Sequence, residues 1–106
     1  MKDAETFERI VIEEICLIAE EKELNHSQLA RAAFGDSGSS ITRWRQFRHP
    51  RKNTGKPQSL TIADTYRLCV GLGIDFGTLT FRAGERFKMQ IEKQKLKSSQ
   101  QTLKSA

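Results

Sequence analysis

The chain has 106 residues, a formal net charge of +5, and 37% hydrophobic against 29% charged side chains, which suits one domain with a modest core. No stretch approaches a membrane span, and the amino-terminal MKDAETFERI is acidic where a signal peptide is basic and then apolar. The two cysteines, Cys16 and Cys69, stand far apart in apolar runs, so the expectation is free buried thiols in a reducing, cytoplasmic compartment.

The distribution of charge is more telling than its sum. Residues 1–24 carry three basic and eight acidic groups, whereas residues 25–60 carry seven basic and one acidic. Residues 61–81 are close to neutral, and residues 82–106 again carry seven basic and two acidic groups. A positive field gathered on two segments is what a polyanionic partner requires.

In chain order, residues 3–22 are predicted to form a first helix. Ala4, Phe7, Val11, Ile15 and Ile18 recur at intervals of three or four, and Ile10, Cys16, Leu17 and Ala19 widen the stripe. Glu5, Glu8, Glu13, Glu14, Glu20 and Glu21 form an acidic outer face. Such a helix is a scaffold rather than a surface for a polyanion.

The stretch Asn25–Arg48, NHSQLARAAFGDSGSSITRWRQFR, predicts two short helices joined by a turn. Asn25 or Ser27 is the N-cap of the first, with Gln28 in the capping-box place after Asn25. Leu29, Ala30, Ala33 and Phe34 give its apolar side, and Gly35-Asp36 breaks it. Ser37 can cap a second helix from Gly38 to about Arg48, with Ile41 and Trp44 as its buried stripe. The remaining positions are small and polar at first and then basic, a composition suited to a DNA major groove.

Pro50, Gly55 and Pro57 exclude a regular helix over the next span, which is polar and positive. Thr61, with Asp64 as its capping-box partner, then begins a helix whose core face is read as Ile62, Ala63, Tyr66, Leu68, Cys69 and Val70. Gly71-Leu72-Gly73 ends it, and Ile74, Phe76 and Leu79 predict a short fifth helix or helical turn. In RAGERFKMQIEKQKLKSSQQTLKSA, Phe87, Ile91 and Met89 make an apolar strip on a short helix between Gly84 and Leu96, and the end reads as disordered. The expected organisation is a helical domain over 1–81 and a basic, partly helical tail over 82–106. The expected core comprises Phe7, Val11, Ile15, Leu24, Leu29, Ile41, Trp44, Ile62 and Leu68.

Two blocks of this pattern resemble the lambda-repressor-like (Cro/C1-type, XRE-like) helix-turn-helix DNA-binding family. Leu29-Ala30, Gly35-Asp36-Ser37 and Ile41-Thr42 occupy the places of its Leu-Ala, Gly-x-Ser and Ile-Ser/Thr. Leu72-Gly73-Ile74-Asp75 matches its Leu-Gly-Val link, with aspartate where serine is common. The chain departs from the family in two places. His26 stands where the family usually has a phosphate-touching glutamine, and the Ala30–Gly35 spacing is one residue longer, which either lengthens the helix or widens the turn.

The resemblance, covering about Leu24 to Leu79, implies an all-α, compact four- to five-helix domain. It also implies a sequence-specific double-stranded DNA-binding regulator of phage or prophage repressor type, bound as a homodimer to an inverted repeat. Base reading falls to Gly38, Ser39, Ser40, Thr42 and Arg43, of which Arg43 has the fork suited to guanine. Phosphate contact falls to His26, Ser37, Arg45, Gln46 and Arg48, and to Arg51, Lys52, Asn53 and Lys56 in the loop. The alternative is an antitoxin-type interaction module that autoregulates its operon. No catalytic constellation, metal-ligand set, cofactor motif or small-molecule effector site is legible, so no enzymatic activity is expected.

Overall fold

The periodicities and caps of the sequence resolve into helices throughout. The computed structural model describes residues 2–49, 55 and 57–105, and among the described residues there are five helices and no strand. These are α1 (Lys2–Glu21), α2 (His26–Phe34), α3 (Gly38–Arg48), α4 (Ile62–Leu72) and α5 (Phe76–Ser105). No helix among the described residues is long and apolar enough to cross a membrane.

Local chemistry accounts for most boundaries. Asn25 caps α2 through a complete capping box, with Gln28 N–H donating to its side chain and its own N–H to the Gln28 amide oxygen. Helix α2 runs to Phe34, and Gly35 stops it at a positive φ of 105°. Thr61 caps α4 by accepting the Asp64 N–H. The Asp64 carboxylate does not reach back to complete the expected box; it pairs instead with two arginines, described below.

The core joins Ile10, Ile12, Ile15 and Ile18 of α1 to Leu29 of α2, Trp44 and Phe47 of α3, Leu68 and Leu72 of α4, and Leu79 and Ala83 of α5. Phe7, Leu24 and Ile41 pack at its edge. Helix α4 is turned relative to its sequence reading. Of the residues read as its core face, Leu68 and Cys69 are buried, whereas Ile62, Tyr66 and Val70 are 79%, 60% and 59% exposed and Ala63 is exposed; Thr65 and Leu72 are buried in their place. Gly71 shows why this face must turn inward. A Cβ there would lie 3.1 Å from the Ala33 nitrogen and 3.3 Å from the Ala32 Cβ, so α4 approaches α2 only where a side chain is missing. Cys16 is half-buried and Cys69 buried, both free. Burial pushes both thiols up, in Cys16 against the opposing effect of Arg48.

Helix α5 also differs from expectation. The boundary at 81/82 falls inside one continuous helix that passes Gly84 and runs on to Ser105, where the end of the tail was expected to be disordered. Its first turns belong to the folded body: Leu79 and Ala83 are buried, and Phe87 meets Phe7 edge-on at 5.6 Å. Glu14, read as an outward acid, is buried. Its carboxylate receives Arg82 Nε at 2.7 Å and Arg86 at 2.9 Å. Both arginines remain about 40% exposed, so water screens part of this pairing. Glu14→Ala should therefore lower stability by about 1–3 kcal/mol, whereas exposed Glu13→Ala should stay within about 0.5 kcal/mol. Urea denaturation of the two variants checks this, and equal losses would contradict the assignment.

Candidate nucleic-acid interface

The amphipathic character of α3 comes from very few apolar residues. Trp44 and Phe47 are completely buried, Ile41 is half-buried, and the rest of the helix is polar or basic. That fixes its rotation. Ser39, Thr42, Arg43 and Gln46, at spacings of three and four, line one side of a surface hollow of about 540 Å³ shared with Phe34, Gln58 and Asp64. Gly38, Arg45 and His49 continue the exposed arc. The helix itself carries no acidic residue.

The α2–α3 turn is held by short polar contacts. Ser37 stands at the N-cap of α3 but makes no side-chain capping bond; its hydroxyl pairs with that of Ser39 at 2.6 Å. Ser40 is buried, and its hydroxyl donates to the Gly35 carbonyl at 2.7 Å. Sequence reading put Ser40 among the base-reading residues. Its burial and its bond to Gly35 make it a brace of the turn instead.

The other end of α3 is fastened from α1. The Arg9 guanidinium donates to the Arg48 and Phe47 carbonyls at 3.1 and 3.3 Å, satisfying two of the open carbonyls there with a cation. The chain after the loop returns to the same helix, with Gln58 N–H donating to the Gln46 carbonyl at 2.9 Å. Arg48 lies over the Trp44 ring, 5.3 Å from its centroid, and its buried Nε has no hydrogen-bond partner among the described residues. Burial lowers the Arg48 pKa, while a guanidinium in such a setting keeps its charge.

His26, the first residue of α2, sits at the near edge of this surface. The Trp44 indole N–H donates to its Nδ1 at 3.1 Å. That nitrogen must therefore be unprotonated, which leaves the proton of the neutral ring on Nε2. Burial, then Arg48 and His49, lower the His26 pKa.

Arg43 does not extend freely from the helix. Its guanidinium is 2.6 Å from Asp64 Oδ1 and lies 4.8 Å over the centre of the Phe34 ring. The expected phosphate contacts Arg51, Lys52, Asn53 and Lys56 lie outside the described residues. The structure thus brings Gly38, Ser39, Thr42, Arg43, Arg45 and Gln46 to one exposed arc, withdraws Ser40, and sets His26 and Arg48 beside it on Trp44. Sequence reading missed Phe47, Arg9 and Asp64. Phe47, three residues beyond Trp44, was within reach of periodicity, while the other two act across long sequence separations.

Among the described residues, no group of three histidine, cysteine or acidic side chains could hold a metal ion. Comparison with known proteins finds no matching family model, no matching curated protein and no matching solved structure.

The His26–Trp44 bond gives this region a pH dependence of definite sign. A lowered folded pKa means that the unfolded chain takes up the proton first. The contribution is complete above about pH 6.5, the unfolded histidine value, and is lost as pH falls through the folded value. Thermal melts followed by fluorescence of Trp44, the sole tryptophan, should show a loss of stability as pH falls below about 6.5. It should be smaller in His26→Gln, whose amide can accept the indole N–H without titrating. An equal loss in both proteins would remove His26 as the cause.

Proposed function

We propose that this chain is a sequence-specific double-stranded DNA-binding regulator of lambda-repressor-like type, with α2 and α3 as its helix-turn-helix. The observation that carries the reading is the exposed face of α3: Ser39, Thr42, Arg43 and Gln46 at helical spacing, without a carboxylate on the helix. Its hydroxyl and guanidinium groups are those that pair with base edges in a major groove, and the Gln46 amide is suited to the phosphate backbone beside it.

In this reading Ser39, Thr42 and Arg43 contact bases, and Gly38 lets the helix end approach the groove floor. Ser37, Arg45, Gln46 and Arg48 hold the phosphate backbone, and the Nε2–H of His26 donates to a phosphate on the α2 side. Arg51, Lys52, Asn53 and Lys56 add loop contacts of the same kind. Binding to a randomised duplex pool should enrich one sequence. Arg45→Ala should weaken the enriched and a scrambled duplex about equally and reduce the salt slope by roughly one unit. A salt series on both duplexes measures this, and failure to enrich any sequence would refute specific recognition.

One short helix reads few base pairs, so the reading includes a homodimer on an inverted repeat, of phage or prophage repressor type. Phe87, in the apolar strip of the tail, is engaged with Phe7 of the same chain. Phe81, Met89 and Leu96 of α5 are exposed, as is the apolar row Ile62, Tyr66 and Val70 of α4. The same row favours a second reading, an antitoxin-type module with a protein partner that also regulates its own operon. Sedimentation of the saturated duplex complex distinguishes them. Two chains per duplex are expected for the repressor, with Tyr66→Glu lowering the number to one. One chain per duplex in the parent protein would exclude the dimer.

A further inference from the structure

The reading side chain of greatest value in α3 is held by a residue of another helix. Asp64 comes from the first turn of α4, and its side chain is 5% exposed. Its Oδ1 accepts from Arg43 at 2.6 Å and from Arg67 at 2.9 Å. The face of the Arg43 guanidinium meanwhile rests on Phe34 of α2. Carboxylate and ring together fix both the position and the plane of the fork. The Arg43 side chain is still 48% exposed, and it borders the hollow with Ser39, Thr42 and Gln46. A guanidinium has five N–H donors, and the Asp64 bond uses one of them. Enough remain for a two-pronged contact to a base edge.

We propose that Asp64 is a specificity-determining positioning residue: it orients Arg43 for base reading without touching DNA itself. The proposal rests on the DNA-binding reading above and adds the source of its selectivity. An arginine on a free stem samples many rotamers, reaches phosphates as easily as bases, and must be ordered on binding. Held by Asp64 and Phe34, it presents one edge at one angle, which favours a base with two acceptors over a phosphate. A carboxylate near a polyanion opposes binding, so its worth lies in discrimination rather than in affinity.

That opposition gives the test its sign. Asp64→Asn removes one negative charge, so general electrostatics predicts equal or tighter binding to any duplex. Positioning predicts that selectivity falls at the same time. Using the full chain and the duplex enriched by the parent protein, the ratio of cognate to scrambled affinity should drop about five- to tenfold in Asp64→Asn. Scrambled binding should hold or rise. Arg67→Ala, which removes the other partner of Asp64, should keep the ratio. Arg43→Lys should lose it, because lysine can pair with Asp64 but lacks the fork. In the double variant Arg43→Lys with Asp64→Asn, the second change should add little.

An unchanged ratio in folded Asp64→Asn, or an equal fall in Arg67→Ala, overturns the proposal while leaving DNA binding intact. No enriched sequence from the parent protein overturns the DNA reading, and this inference with it. If Asp64→Asn does not fold, nitrogen-15 relaxation at Arg43 Nε in the parent protein decides. A rigid guanidinium is expected, and one that reorients freely on the nanosecond scale refutes the positioning role.

Discussion

The indole of Trp44 is the constraint on which the exposed face of α3 depends. Helix α3 offers the core only Ile41, Trp44 and Phe47 among eleven residues, so its attachment is narrow. Loss of a fully buried tryptophan in such a place typically costs about 3–5 kcal/mol. A buried indole also needs an acceptor for its N–H, and His26 supplies one from the first position of α2. The start of one helix and the rotation of the next are thereby tied by a single bond. A turn of α3 by one residue would carry Arg43 or Arg45 inward and leave the indole N–H unpaired. Both penalties favour the observed face, and that face is the one bearing Ser39, Thr42, Arg43 and Gln46.

The acidic first helix has a larger part in this surface than its charge suggests. Its Arg9 closes the carbonyl end of α3, and its Glu14 draws Arg82 and Arg86 of α5 onto the scaffold. Two of the seven basic residues of 82–106 are thus paired locally. Lys88, Lys93 and Lys95 remain on the exposed side of α5. The outward carboxylates Glu13 and Glu20 of α1 border the same hollow as Arg48 of α3 and its C-cap His49, so the acidic helix limits the cationic surface on that edge.

Features encoded within a few residues were legible in the sequence. The Asn25 capping box, the Gly35 stop and the Ser37 and Thr61 N-cap positions depend on neighbours in the chain, and they stand where reading placed them. Helix α4 was read as one broad apolar face over Ile62, Ala63, Tyr66, Leu68, Cys69 and Val70, of which only Leu68 and Cys69 are buried. Ile62, Tyr66 and Val70 make one stripe at i, i+4 and i+8, while Leu68, Cys69 and Leu72 make another. Periodicity cannot choose between them. The choice is made by the missing side chain at Gly71 and by Asp64, whose arginine partner is 21 positions away. Ser40 and Glu14 failed for the same reason. Each looks like a surface residue until the Gly35 carbonyl or the α5 arginines are brought beside it. The continuous α5 was hidden by Gly84, which weakens a helix locally but is overcome when Ala83 and Phe87 pack on α1.

The two buried carboxylates show how a small domain can make flexible cations act as fixed ones. Glu14 and Asp64 each receive two arginines, and in both cases the carboxylate is buried while the arginines keep much of their exposure. Burying an acid is unfavourable unless its charge is matched and its oxygens are bonded. Two partners meet that demand, and the arginines give up little hydration because their outer edges stay wet. For stability alone, well-packed apolar residues in place of the carboxylate and its arginines together would serve about as well. What an apolar residue cannot do is define the direction of a guanidinium. At Glu14 the result is a fixed register between α1 and α5. At Asp64 the same device lies next to the exposed face of α3, and in the proposed DNA-binding reading the direction of that fork decides which base it meets.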